Sequence, residues 1–254
     1  DPVSNIPGEV LYLTDWKTDR TWTITPLPVR DEGTYVITHG FGYSIFKHVS
    51  DGIEQSLTQF VPIDDNVKIS LVKLKNLTKE DKNLGLTYYI RPVLGVSDQL
   101  TAMHIKTSMD ENNVLFIENP YNDEFPGRIA FLEVSEKERW VTGDRKDFIG
   151  SGSISSPEGL RQKRLPGSVG IGLDPCAAIQ IDVVLEADAD KEVVFLLGMG
   201  KNSDEVYSMI SKYSNVESAR RAFVATKSFW KDKLGKINVK TPDEAFNIML
   251  NGWL

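Results

Sequence analysis

One cysteine in 254 residues excludes an internal disulfide. Cys176, between Pro175 and Ala177 at the start of a strand-like run, reads as a small buried hydrophobe, the usual state of a free cysteine. This usage fits a reducing, cytoplasmic setting. Histidine is scarce too: His39, His48 and His104 are scattered, and no pair has metal-ligand spacing. No apolar run approaches the roughly 18–20 residues of a membrane helix. A secretory signal is lacking, as is an initiator Met, so an opening on Asp1-Pro2 suggests a processed piece. Basic residues are outnumbered, 29 against 36 acidic for a net charge of −7, which argues against a nucleic-acid-binding face. There is no Gly-x-Ser-x-Gly nucleophile elbow, because Gly150-Ser151-Gly152-Ser153 lacks the strand-to-helix setting. Gly170-x-Gly172 precedes a strand and is no phosphate loop. Asn76-Leu77-Thr78 is a weak glycosylation sequon with nothing else to suggest secretion. With 36 acidic residues, the sequence singles out no pair of hydrolytic carboxylates.

What is present reads first as β-structure. Asp51-Gly52 between 43–50 and 53–61 is a hairpin signal, since both turn residues must tolerate positive φ. Residues 67–75 place apolar side chains at Val67, Ile69 and Leu71, then shift phase to Val72 and Leu74, which predicts a bulge. Further strands are predicted at 86–94, 103–108, 114–118, 129–134, 179–185 and 191–199. Short strands at this spacing, up to about Gly200, predict two packed antiparallel sheets. The period then changes. Asn202 or Ser203 caps a helix to about Tyr213, and a second runs from Val216 to Leu234 and ends at Gly235. Thr241-Pro242-Asp243-Glu244 has the pattern of a capping box opening a third helix. That helix ends the chain on Trp253-Leu254, as though cut within a further helical domain.

The longest irregular stretch, 138–180, is rich in Gly, Ser and Pro. Loops of this length are functional or disordered. Trp140, Phe148, Ile149, Leu160, Leu165 and Val169 supply enough anchors to argue for order. Arg145 is the leading candidate, because an arginine fork binds phosphate or vicinal hydroxyls in two-pronged fashion. The alternative is a loop staple to Asp144 or Asp147. Trp16 and Trp22 are either a sugar-stacking platform or core. A Ser–His–Asp triad stays open on sequence alone.

Long motifs then point to a family. The pattern W-x-T-G-D-R-x-x-F-x-G from Trp140, and G-x-V-G-x-G-L-D-P-C-A-A-x-Q ending at Gln180, resemble the head domain of glycoside hydrolase family 94, formerly glycosyltransferase family 36. Thr25-Pro26-Leu27-Pro28-Val29-Arg30, His39-Gly40-Phe41-Gly42-Tyr43-Ser44, Phe60-Val61-Pro62-Ile63-Asp64-Asp65 and the closing Asn247 to Leu254 are similar as well. The β-1,2-glucan branch is the nearest in flavour. The resemblance implies a mainly β fold: an antiparallel β-supersandwich of galactose-mutarotase type over 1–200, linker helices over 201–240, and over 241–254 the first helix of an (α/α)6 catalytic barrel. It implies that the general acid and most phosphate ligands lie in that barrel, so this chain carries no catalytic residue. It implies sugar contact by Arg145, with Asp144, Asp147, Phe148 and Trp140 around it. A β-glucan oligosaccharide, the barrel and a second copy are the implied partners. No cofactor is implied, only inorganic phosphate as co-substrate of the parent enzyme, which a synthase would tether to the inner membrane. A self-contained mutarotase-like enzyme and a purely structural cap on the barrel are the rival readings.

Overall fold

The computed structural model describes residues 7–252. Among the described residues, thirteen strands form two antiparallel sheets. The small sheet has the order β11(Trp140–Asp144)-β12(Pro175–Leu185)-β7(Lys82–Ile90)-β1(Glu9–Asp15)-β2(Arg20–Thr23). The large sheet runs β3(Val36–Gly40)-β4(Tyr43–Ser50)-β5(Ile53–Phe60)-β6(Val67–Asn76)-β13(Asp190–Gly200)-β10(Ile129–Val134)-β9(Leu115–Glu118)-β8(Lys106–Met109). Two very short helices, α1(Asp98–Thr101) and α2(Arg145–Ile149), lie in loops, and α3(Ser203–Tyr213), α4(Val216–Leu234) and α5(Glu244–Gly252) follow the last strand.

The main core lies between the sheets, where Leu11, Leu13, Leu86, Tyr88, Ile179 and Ile181 meet Leu57, Val72, Leu74, Leu132 and Phe195. Each outer face is covered as well. On the large sheet, Val206 and Met209 of α3 and Ala219 of α4 bury Ile69, Phe131, Val194 and Leu196. On the small sheet, Phe148, Leu160 and Leu165 of the long loop bury Val10, Tyr12, Tyr89 and Ala178.

This double burial corrects one expectation. β6 has no bulge, since its register runs unbroken from Ile69 to Asn76 against β5 and from Val67 to Lys75 against β13. The phase shift at Leu71-Val72 arises because Ile69 and Leu71 face the helices while Val72 and Leu74 face the core. A strand buried on both faces has no polar side to alternate with. β7 lies four residues earlier than the strand predicted at 86–94. The segment predicted as strand 103–108 begins as a single helical turn, so β8 spans only Lys106–Met109. α5 starts two residues later than predicted. Asp243, not Thr241, receives the first free amides, those of Ala245 and Phe246. Trp22 is core, its indole N–H donating to Gln55 Oε1 at 3.0 Å. Asn76 is fully buried, its amide donating to the carbonyls of Glu80, Leu185 and Glu186, which removes it as a glycosylation site.

Register gives the sandwich two unlike ends. At the turn end the strands reverse tightly. Ser50 pairs with Ile53 across Asp51-Gly52, both at positive φ, and Asp15 pairs with Arg20. At the loop end lie the start of β6 and the ends of β7, β11 and β13, as the pairs Val67–Gly198, Ala177–Ile90 and Asp144–Pro175 show. The long segments 91–105, 119–128 and 145–174 all leave from this end.

Candidate functional site

Arg145 opens α2 at the loop end. β11 places it there and Asp144 caps the short helix, accepting from Lys146 N at 2.9 Å. The chain then folds back so that Arg145 N donates to the Asp174 carbonyl at 2.7 Å, and its Nη2 donates to Asp174 Oδ2 at 2.6 Å. The staple reading of Arg145 therefore holds in kind but not in partner: neither Asp144 nor Asp147 is its counter-ion. The Asp174 carboxylate is the main cause that raises the Arg145 guanidinium pKa. The pair is not sealed, for the Arg145 side chain remains 33% exposed and Asp174 23%. Its Nε is buried without a partner among the described residues, as is Asp147 Oδ2.

The remaining predicted residues surround this pair at different depths. Phe148 is fully buried, with its ring stacked on Tyr89 at 4.7 Å and tilted against Tyr12 at 5.9 Å. It therefore fastens the loop from beneath. Trp140 is half-buried at the start of β11, with the Arg164 guanidinium 5.2 Å from its ring centre. Cys176 is buried below the loop, and burial raises its thiol pKa far above the ordinary value, as an inert packing residue requires. Gly143 lets the loop close on the large sheet. Its N–H donates to the Ser168 carbonyl at 2.6 Å, and a Cβ there would stand 2.1 Å from Thr107 Oγ1.

Sequence reading missed Asp174, Tyr89, Arg91 and Asp98. Arg91, just past β7, makes a two-pronged pair with Asp98 of α1, Nε to Oδ1 at 3.2 Å and Nη2 to Oδ2 at 2.5 Å. The signal for Asp174 was its place in the G-L-D-P motif. Tyr89 carried none, because it sits in an apolar strand. A hollow of about 880 Å³ at the same end, by the β3–β4 turn, is lined by His39, Tyr43, Phe60 and Trp230. It lies on the helix side of the molecule, away from Arg145.

The turn end holds the nearest approach to a hydrolytic triad, and its order is wrong. His48 Nε2 lies 2.7 Å from Asp31 Oδ1, and Ser50 donates to the other oxygen of the same carboxylate. Serine and histidine thus share the aspartate instead of touching each other, so no base activates the hydroxyl.

The family model described as "Glycosyl hydrolase 94, supersandwich domain" matches residues 1–216. Cyclic beta-(1,2)-glucan synthase NdvB of Rhizobium meliloti (strain 1021) is 32% identical over 100% of this chain and 9% of its own length. N,N'-diacetylchitobiose phosphorylase of Vibrio furnissii is 25% identical over 97% of this chain and 32% of its own. The chain therefore spans a third or less of these relatives. Among solved structures, a bacterial glucoamylase complexed with acarbose superposes over 91% of this chain and 32% of its own, at TM-score 0.59 and 11% identity, which supports the fold alone. By its match to the family model and its likeness to these relatives, the chain belongs to glycosyl hydrolase family 94, as the supersandwich domain.

Proposed function

We propose that this domain is the noncatalytic, carbohydrate-contacting part of an enzyme that transfers glucosyl units of β-glucan, with the β-1,2 linkage favoured. The observation that carries this reading is the family match over residues 1–216 together with 32% identity to a β-1,2-glucan synthase along the whole chain. In the parent reaction phosphate attacks the anomeric carbon with inversion, and an aspartic acid of the barrel protonates the leaving oxygen. Inversion needs no covalent intermediate. Residues 1–200 are the sandwich, 201–240 the linker, and 241–254 the first helix of an (α/α)6 barrel. The exposed Phe246, Ile248 and Met249 of α5 are the side chains such a barrel would cover. Arg145 meets the sugar held in the barrel, with Trp140 beside it and Asp144, Asp147 and Phe148 setting the loop. A second copy completes a homodimer. Inorganic phosphate is the co-substrate and no cofactor takes part. No helix among the described residues is long and apolar enough to cross a membrane. A cytoplasmic location is the reading that goes with the single, buried thiol.

The test is phosphate release from α-glucose 1-phosphate with a β-1,2-gluco-oligosaccharide acceptor, using these 254 residues alone. No release above blank is the expected result. Turnover would put the general acid inside the supersandwich and overturn the division of labour.

A further inference from the structure

Tyr89 lies on the face of the small sheet that the long loop covers. Its ring is buried, 2% exposed, and clamped by Phe148 at an interplanar angle of 14°. Its hydroxyl nevertheless takes no hydrogen-bond partner among the described residues, whereas the neighbouring Tyr12 and Tyr88 hydroxyls donate to the Ile154 carbonyl and to Glu9. Among the described residues the oxygen is not one of the buried polar atoms without a partner, unlike Arg145 Nε, so the ring is enclosed while the hydroxyl tip stays within a ligand's reach.

The pleat shows what lies around it. Tyr89 pairs with Ala178 and Ile90 with Ala177, so Arg91 falls on the same outer face as Tyr89, opposite Cys176. Cys176 directly follows the Asp174-Pro175 dipeptide that holds Arg145. The Phe148 ring stacked on Tyr89 belongs to the short helix that Arg145 opens, which brings the Arg145–Asp174 pair to the same end of this face. Arg91 brings Asp98 with it. The cluster holds two guanidinium groups and two carboxylates, each cation already paired. An anion entering it meets as many negative charges as positive ones. An uncharged polyol finds what it needs, namely donors on the forks, acceptors on the aspartates, and a hydroxyl that does both.

We propose that Tyr89 is a sugar-contact and specificity-determining residue of the Arg145 site, its hydroxyl bonding a hydroxyl of a neutral glucosyl unit, and that Asp174 is the positioning residue for Arg145. The inference rests on the carbohydrate reading of Arg145 given above. It assigns this end of the domain to sugar and not to phosphate.

The probe is β-1,2-linked glucotriose, titrated into the chain and followed by NMR at backbone amides 89–91 and 143–149 and at the Arg145 Nε–H. Inorganic phosphate is titrated in parallel. The triose is expected to shift these signals and phosphate is not. Tyr89→Phe should weaken the triose roughly fivefold, the effect of one net hydrogen bond. Thermal stability should not change, because the deleted hydroxyl has no partner among the described residues. Asp174→Asn should weaken it similarly and move the Arg145 Nε–H signal before any ligand is added. If Arg145→Ala abolishes triose binding and Tyr89→Phe leaves it intact, the Tyr89 assignment fails while the carbohydrate reading stands. Shifts with phosphate as strong as with the triose overturn the neutral-ligand assignment. If the unsubstituted chain responds to neither, the Tyr89 assignment falls, while a sugar held by the barrel remains the carbohydrate reading.

Discussion

The turn end of the sandwich and the long loop segments at the other end use charge differently. At the turn end, charged groups join the sheets. Lys82 of β7 reaches Asp15 at 3.0 Å and Asp51 of the β4–β5 turn at 2.9 Å, and Arg20 lies 3.7 Å from Asp31 and 3.8 Å from Asp51. His48 is walled in by Asp31, by the Thr34 carbonyl at 3.0 Å and by the stacked Tyr35 ring at 3.7 Å. At the loop end one ion pair, Lys68–Glu9, likewise crosses between the sheets, but the pairs of the long segments, Arg91–Asp98 and Arg145–Asp174, are two by two and stay partly open to solvent. The turn-end network is structural because each cation serves more than one segment. The Arg145 loop leaves polar atoms unused, Arg145 Nε and Asp147 Oδ2 among the described residues, and a ligand can employ them.

The comparison breaks most visibly at Lys82. Lys82→Met strands Asp15, which is 1% exposed, beside Asp51 without its cation. Removing one partner of a buried pair costs about 3 kcal/mol at the low end. Urea denaturation should show that loss, while Lys79→Met, whose pair with Asp188 is largely exposed, should show none. An unchanged midpoint for Lys82→Met would mean the turn end is no more cohesive than the loop end. Next in size is Gly143→Val, which forces a branched side chain into Thr107 where the long loop meets the large sheet. Overpacking of this kind costs about 1–3 kcal/mol. The loss should appear as faster amide exchange in 165–174 before it appears in global melting.

Acid should separate the ends more finely. Burial pushes Asp15 and Asp31 up, yet the Lys17 amide and Lys82 hold Asp15 below the usual carboxylate value, and Ser50 and His48 do so for Asp31. A carboxyl lowered in the folded state contributes stability that is present above its unfolded pKa of about 4 and lost as the pH falls through its folded value. Lys82 is raised, so its share is complete below about pH 10 and fades as the pH rises through its folded value. Exchange protection near Asp15 and Ser50 should therefore fall as the pH drops below about 4, ahead of that in the central strands. Equal loss throughout would deny the turn end its special role.

The fold was more legible than the site, for a physical reason. Alternation in 179–185, the Asp51-Gly52 turn and the stripe of α4 are local patterns, and each maps to one element. Where a strand is buried on both faces, as in β6, the pattern vanishes and invites a false bulge. The site depends on pairs far apart in sequence. Arg145 and Asp174 meet only because the loop turns back, and nothing in their spacing announces it. Tyr89 is harder still, since an aromatic in an apolar strand looks like core and differs from core only by a hydroxyl with no partner among the described residues. Arg145 itself was visible because an arginine beside aspartates and an aromatic in a long ordered loop is unusual.

The smallest stability effect falls on the residue of most interest. Arg145→Ala removes a pair that is about a quarter to a third exposed on both sides. Pairs of that kind contribute at most about 1 kcal/mol. The main-chain bond from Arg145 N to the Asp174 carbonyl survives the substitution, and Phe148 continues to pin the loop from below. Melting of Arg145→Ala should therefore lie close to that of the unsubstituted chain, while Phe148→Ala, which empties a fully buried ring site, should cost about 3–5 kcal/mol. If Arg145→Ala instead destabilised the domain as much as Lys82→Met, the loop end would be a second structural clamp. The open guanidinium edge would then be a by-product of the fold, and the contrast between the two ends would disappear.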